Sequence, residues 1–220
     1  MTFRFTIDYT WRMKNTKTLL IAFIAMFAAI ISFSGFFKIP LGPVPIVLQN
    51  VFCILCAVLI GGVFAGAPVA LFLVAGLIGL PVYSGGTSGI AVWAGPTGGF
   101  LFGYLLGAII AGLIAGKPGV FEKKLTTSTV LKISAAILAG MVIMYIPGII
   151  HFARWAEKFS KVPEGKSALA YTLGACVIPF IPGDIIKCVI AIPVALKVRP
   201  VLAQYLYSST APKASDDSDK

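Results

Sequence analysis

Charge is what this chain has least of. Only 12% of its 220 residues are charged, about half the share of an ordinary soluble domain, and that excludes one. The chain is not polar enough to be intrinsically disordered. Four cysteines are too few for a disulfide-stapled secreted domain. Alternation of polar and apolar residues over segments of about ten, the mark of an outer-membrane barrel, is missing as well. What fills the chain instead is continuous apolar sequence, 58% hydrophobic with a mean hydropathy of +0.95. These features define an all-α membrane protein, and the scarce charges must mark loops, span ends or functional sites.

A membrane-crossing helix needs about 20 mostly apolar residues. Six runs qualify: Leu19 to Phe37, Pro45 to Val63, Ala65 to Leu80, Phe100 to Gly116, Val130 to Ile150, and Ala168 to Leu196. They predict a compact six-helix bundle at 19–200, between a basic segment at 1–18 and a tail at 201–220 whose end is solvated and disordered. Gly61-Gly62 and Ala65 to Pro68 permit a tight turn that makes the second and third helices a hairpin. Pro179, Pro182 and Pro193 predict a broken or kinked sixth segment, and broken helices in membranes line cavities. The first run is longer than a signal-peptide core and reads as a retained span. Arg4, Arg12, Lys14 and Lys17 ahead of it place the N-terminus in the cytoplasm. Six spans then put the C-terminus there too, with Lys117, Lys123, Lys124, Lys197 and Arg199. The connection from His151 to Ser167, with Arg154, Lys158, Lys161 and Lys166, falls outside, against the charge rule.

Two opposite charges lie within the sixth apolar run, Asp184 and Lys187. A spacing of three puts them on one helical face, where they can share a polar cavity. Burying such a pair costs several kcal/mol per ion and rarely improves on apolar packing, which favours a functional role over a self-neutralising structural one. Gly183, after two prolines, points to a helix restart with amides free for an anion. The long connection 81–100 supplies Gly85, Gly86, Thr87, Ser88, Trp93 and Thr97 after Tyr83: glycines for close backbone approach, with hydroxyls and rings for a small amphipathic ligand. An ordinary interhelical loop explains these residues equally well.

Other signals are weaker. Gly165-Lys166-Ser167 lacks the first glycine of a phosphate-binding P-loop, so the chain has no visible means of hydrolysing ATP. Cys53 and Cys56 lie in an apolar span and read as core residues before a metal or redox pair. Gly86-Thr-Ser88-Gly89 with His151, the single histidine, allows an intramembrane serine hydrolase as a reading from a different class. Ala25 and Ala29 form a small-xxx-small face in the first span, which suits close helix approach within the bundle or with a partner.

Four ordered motifs carry a family resemblance: Ile39-Pro-Leu-Gly-Pro-Val-Pro-Ile-Val-Leu-Gln49, Gly79-Leu-Pro-Val-Tyr-Ser-Gly-Gly86, Gly95-Pro-Thr-Gly-Gly-Phe100 and Ile181-Pro-Gly-Asp-Ile-Ile-Lys187. In order and spacing the chain resembles the BioY family, biotin-specific substrate-binding (S) components of energy-coupling factor (ECF) transporters. The resemblance implies a six-helix S component in the bacterial cytoplasmic membrane that captures biotin from outside. It implies as partners a transmembrane scaffold (T) component and two ABC-type ATPases, and no cofactor or catalysis in this chain. It also implies substrate contacts from Asp184, Lys187, the loop Tyr83 to Gly89, Trp93, Thr97 and Gln49, and scaffold docking through Ala25 and Ala29. An S component for another vitamin would share the fold and differ in the pocket.

Overall fold

The computed structural model describes residues 2–40, 43–119 and 126–206, with side chains from residue 16 onward. Helix α1 (Thr2–Ser34) is followed by strands β1 (Lys38–Ile39) and β2 (Ile46–Val47), α2 (Gln49–Ile60), a 3-10 turn (Gly62–Phe64) and α3 (Ala67–Leu77). The chain continues through the short α4 (Ile90–Ala94), α5 (Gly98–Ala115), α6 (Thr127–Lys158), α7 (Ala168–Cys176) and α8 (Ile181–Leu206). Residues Thr16–Ser34 of α1, together with α5 and α6, are each long and apolar enough to cross a membrane, and α7 and α8 do so as one span bent by 48°. Helix α2 and the segment Gly62–Leu77 are shorter. Each apolar run of the sequence therefore becomes one helical unit of an all-α bundle, with the sixth broken at Pro179 while Pro182 and Pro193 lie within α8.

Several boundaries differ from expectation. The second run turns helical only at Gln49, because Pro43 and Pro45 cannot donate helical hydrogen bonds. Its start pairs instead as an antiparallel ribbon, Lys38 opposite Val47 and Ile39 opposite Ile46. The fifth run continues to Lys158, since no helix breaker intervenes, so His151 and Arg154 lie on α6 and not in a loop. The side chain of Thr126 caps its start by accepting from the Thr129 amide at 3.3 Å. The restart of the sixth segment comes two residues before Gly183, at Ile181. Pro182 occupies the second position of α8, where no amide donor is needed, and the amides of Ile181 and Asp184 donate to the carbonyls of Val177 and Phe180. Two amides of this first turn are therefore already engaged. The tail from Ser208 onward and Lys123 and Lys124 lie outside the described residues.

Helices α5 and α6 pack most extensively, because α5 presents Gly99, Gly103 and Gly107 along one stripe. A Cβ at these positions would run into Pro147 O and His151, Met144 O and Gly140 O of α6 respectively. Backbones meet there directly, the small-residue mode of packing that membrane helices use.

At the far end of the bundle Arg199 of α8 is completely buried. Its guanidinium donates to the carbonyls of Val58, Ala115 (3.1 Å) and Gly116 (3.2 Å). Those oxygens belong to the C-terminal turns of α2 and α5, which have no helical donors of their own and carry the negative end of the helix dipole. Arg199, expected among the charges near a span end, ties the C-terminal ends of α2 and α5 to α8.

Candidate ligand-binding site

A cavity of about 280 Å3 opens at the other end, where α2 and α5 begin. Its wall comes from five places: the β1–β2 ribbon (Lys38, Val44, Val47), the start of α2 (Gln49, Asn50), the 83–87 turn (Tyr83, Ser84, Thr87), α5 (Thr97, Phe100, Tyr104) and the α6–α8 side (Met144, Tyr145, Cys176, Phe180). Aromatic and aliphatic surface dominates, interrupted by a few placed polar groups, which is the composition of a small-molecule site. Phe100 and Tyr145 meet edge to face with ring centroids 6.1 Å apart.

Beneath this wall Asp184 and Lys187 are buried together. Lys187 Nζ donates to Asp184 Oδ1 at 2.8 Å, to Asn50 Oδ1 at 3.0 Å and to the Val47 carbonyl at 2.8 Å. Asp184 Oδ1 also accepts from Asn50 Nδ2 at 3.0 Å, and Oδ2 accepts from the Tyr145 hydroxyl at 2.5 Å. A carboxylate and an ammonium taken out of water need such a filled set of partners. The pair itself does not line the cavity; its partners Val47, Asn50 and Tyr145 do. Asp184 and Lys187 thus hold three wall groups of the cavity in place.

The remaining expected residues divide in the same way. Gln49, Tyr83, Thr87 and Thr97 face the cavity. Gln49 is also a clamp, its Nε2 donating to Ile31 O at 3.2 Å and Val82 O at 2.9 Å. Tyr83 packs its ring on Gly76, where a Cβ would collide with it, and donates its hydroxyl to Leu73 O at 2.5 Å. Burial pushes that hydroxyl above the ordinary phenol range, opposed by the hydrogen bond it accepts from Trp93 Nε1 at 2.9 Å, so it stays a donor. Trp93 therefore stands behind Tyr83, at an open cleft shared with His151 and Arg154. Gly85 and Gly86, at φ 71° and 77°, make the tight turn that pairs Tyr83 with Thr87.

Ser88 lines neither recess. His151 Nε2 sits 2.9 Å from the Gly95 carbonyl, and among the described residues it shares no hydrogen bond with Ser88. The hydrolase constellation is not assembled. Cys53 and Cys56 are buried in the apolar core. Sequence reasoning did not assign Asn50, Tyr145 or Lys38 to the site. Asn50 directly follows the motif that ends at Gln49, so it was within reach; nothing local marks Tyr145, which lies in the long apolar helix α6.

The bundle, with an end cavity over a buried ion pair, defines an integral membrane protein that binds a small molecule. The BioY family model matches residues 9–204, and the chain belongs to that family. It is 34% identical over 174 residues to a biotin transporter BioY of Thermotoga maritima, covering 79% of this chain and 92% of that one. A BioY of Rhizobium etli is 36% identical over 195 residues, covering 87% and 96%. Among solved structures, the S-component for biotin from an ECF-type ABC transporter superposes with a TM-score of 0.66 at 30% identity, over 84% of this chain and 93% of that one.

Proposed function

We propose that this chain is the biotin-capturing S component of an uptake transporter, with no catalysis of its own. The observation that carries the reading is the cavity over the Asp184–Lys187–Asn50–Tyr145 network. The cavity is sized for a small amphipathic molecule, and its polar groups can serve a ureido head that both donates and accepts. Gln49, Tyr83, Thr87 and Thr97 touch the ligand, while Asp184, Lys187 and Trp93 act through the wall residues that they hold. Gly85, Gly86 and Ser88 belong to the turn that closes over it.

The chain works with a T component and two ABC-type ATPases, which supply the energy that a chain without a P-loop cannot. Ala25 and Ala29 are the docking face on that scaffold; both are exposed on α1, next to the exposed Ile21, Met26 and Ile30. The bundle lies in the bacterial cytoplasmic membrane with both termini inside and the cavity outside. Supporting this orientation, Lys117, Lys132 and Arg199 all cluster at the end away from the cavity.

Purification in detergent followed by mass spectrometry of the released small molecules tests the reading. Biotin is expected. Recovery of a different vitamin, with no biotin binding by titration calorimetry, overturns it in favour of another S component.

A further inference from the structure

Biotin carries a carboxylate at the end of its valerate chain, and Lys187 is not available to receive it. Its ammonium has three N–H donors, and all three are engaged, by Val47 O, Asn50 Oδ1 and Asp184 Oδ1. Among the described residues that line the cavity, Lys38 is the one side chain with a formal charge. It sits on β1 across from Val47 and is solvent-exposed. The end of its side chain lies against Gly85, where an added Cβ would meet Nζ, Cε and Cδ of the lysine. The neighbouring residue, Ser84, also lines the cavity, and its Oγ is buried without a hydrogen-bond partner. Buried side-chain oxygens in this condition are few in native proteins.

An ammonium and an unpartnered hydroxyl on adjoining parts of one rim, above an otherwise uncharged lining, match a carboxylate. The oxygens accept from both groups, and the bond from the ammonium is charge-assisted. The opposite rim chemistry, a neutral ligand end, would leave the lysine nothing to pair with. We propose that Lys38 and Ser84 receive the carboxylate of the ligand, so that the cavity selects the free acid over its neutral amide. This assignment rests on the biotin reading. It also separates two kinds of polar work: the Asp184 network fixes the wall around the ureido head, and the ribbon and turn hold the acid.

Titration calorimetry of the purified chain with biotin and with biotinamide, its uncharged primary amide, tests the proposal. Wild type should prefer biotin. Lys38→Met should weaken biotin by about ten- to hundredfold, the loss of one hydrogen bond to a charged group, and leave biotinamide within twofold. Lys38→Arg should keep most of the preference, and Ser84→Ala should weaken biotin severalfold. Unchanged biotin affinity in Lys38→Met, or equal loss of both ligands, overturns the assignment while wild-type biotin binding leaves the function standing. A wild-type chain that binds neither compound overturns both.

Discussion

The ammonium of Lys187 donates at 2.8 Å to the carbonyl oxygen of Val47, 140 residues earlier in the chain. That bond fastens the last helix to the ribbon over the cavity, so the buried pair sets the shape of the site as well as its charge. Removing the lysine alone should strand the Asp184 carboxylate in apolar surroundings. Lys187→Met is therefore expected to lower stability by about 3–5 kcal/mol as well as to weaken biotin binding. The double variant Asp184→Asn, Lys187→Met should recover much of that stability without recovering binding, because the uncompensated charge is gone while Asn50 and Val47 have still lost their lysine. Thermal unfolding and calorimetry on the same samples separate the two effects.

Tyr145 links the cavity to the same carboxylate through its 2.5 Å hydrogen bond. Tyr145→Phe keeps the ring against Phe100 and removes only the hydroxyl. A loss of about 1.5–3 kcal/mol of folding stability is expected for a hydrogen bond to a charged group, read as a fall in melting temperature, with a rise in the biotin dissociation constant as the cavity wall loosens.

Arg199 stabilises the end of the bundle away from the ligand. Arg199→Met leaves the Val58, Ala115 and Gly116 carbonyls without their donor, at about 1–3 kcal/mol for each that stays dry. The expected outcome is a marked fall in melting temperature with biotin affinity close to wild type in the fraction that remains folded. A large affinity loss at full stability would contradict the separation of the two ends.

Backbone contact between α5 and α6 admits no larger side chain. Gly103→Val is expected to destabilise by about 1–3 kcal/mol or more, since the obstacle is the Met144 carbonyl and not a movable side chain. Gly174→Ala is the control: nothing lies within 4 Å of its added Cβ on α7, and the change should be neutral or stabilising by up to about 1 kcal/mol. Thermal unfolding of the two variants side by side checks the contrast.

Ala25→Leu combined with Ala29→Leu alters exposed positions of α1. Biotin binding by the isolated chain should be unchanged, whereas biotin uptake by cells that also make the T component and ATPases should be lost. Normal uptake would remove these alanines from the docking face.

The apolar runs located α1, α5, α6 and the α7–α8 pair, the described helices long enough to cross, because burial in lipid is written into local composition. The proline cluster at 179 to 182 located the break between α7 and α8 for the same kind of reason. Helix ends were less legible: nothing between Ile150 and Lys158 halts a helix, and charge alone had made that stretch look like a loop. The site was legible in part. Asp184 and Lys187 stand out as charges in an apolar run, but their distance from the ligand depends on Asn50 and Val47, more than 130 residues away in sequence. The partners of Arg199 were illegible for the same reason, since the carbonyls it binds come from two other helices. Contacts across such separations have no periodicity to betray them.

Helix α2 has only 12 residues, about 18 Å of rise against a hydrocarbon layer about 30 Å thick. Its C-terminal end is pinned by Arg199 and its N-terminal end starts at Gln49, in the wall of the cavity. The cavity opens where α2 begins. In the orientation proposed above, a molecule lodged there would sit part-way into the bilayer, so capture itself would complete part of the crossing and shorten the path left for transport.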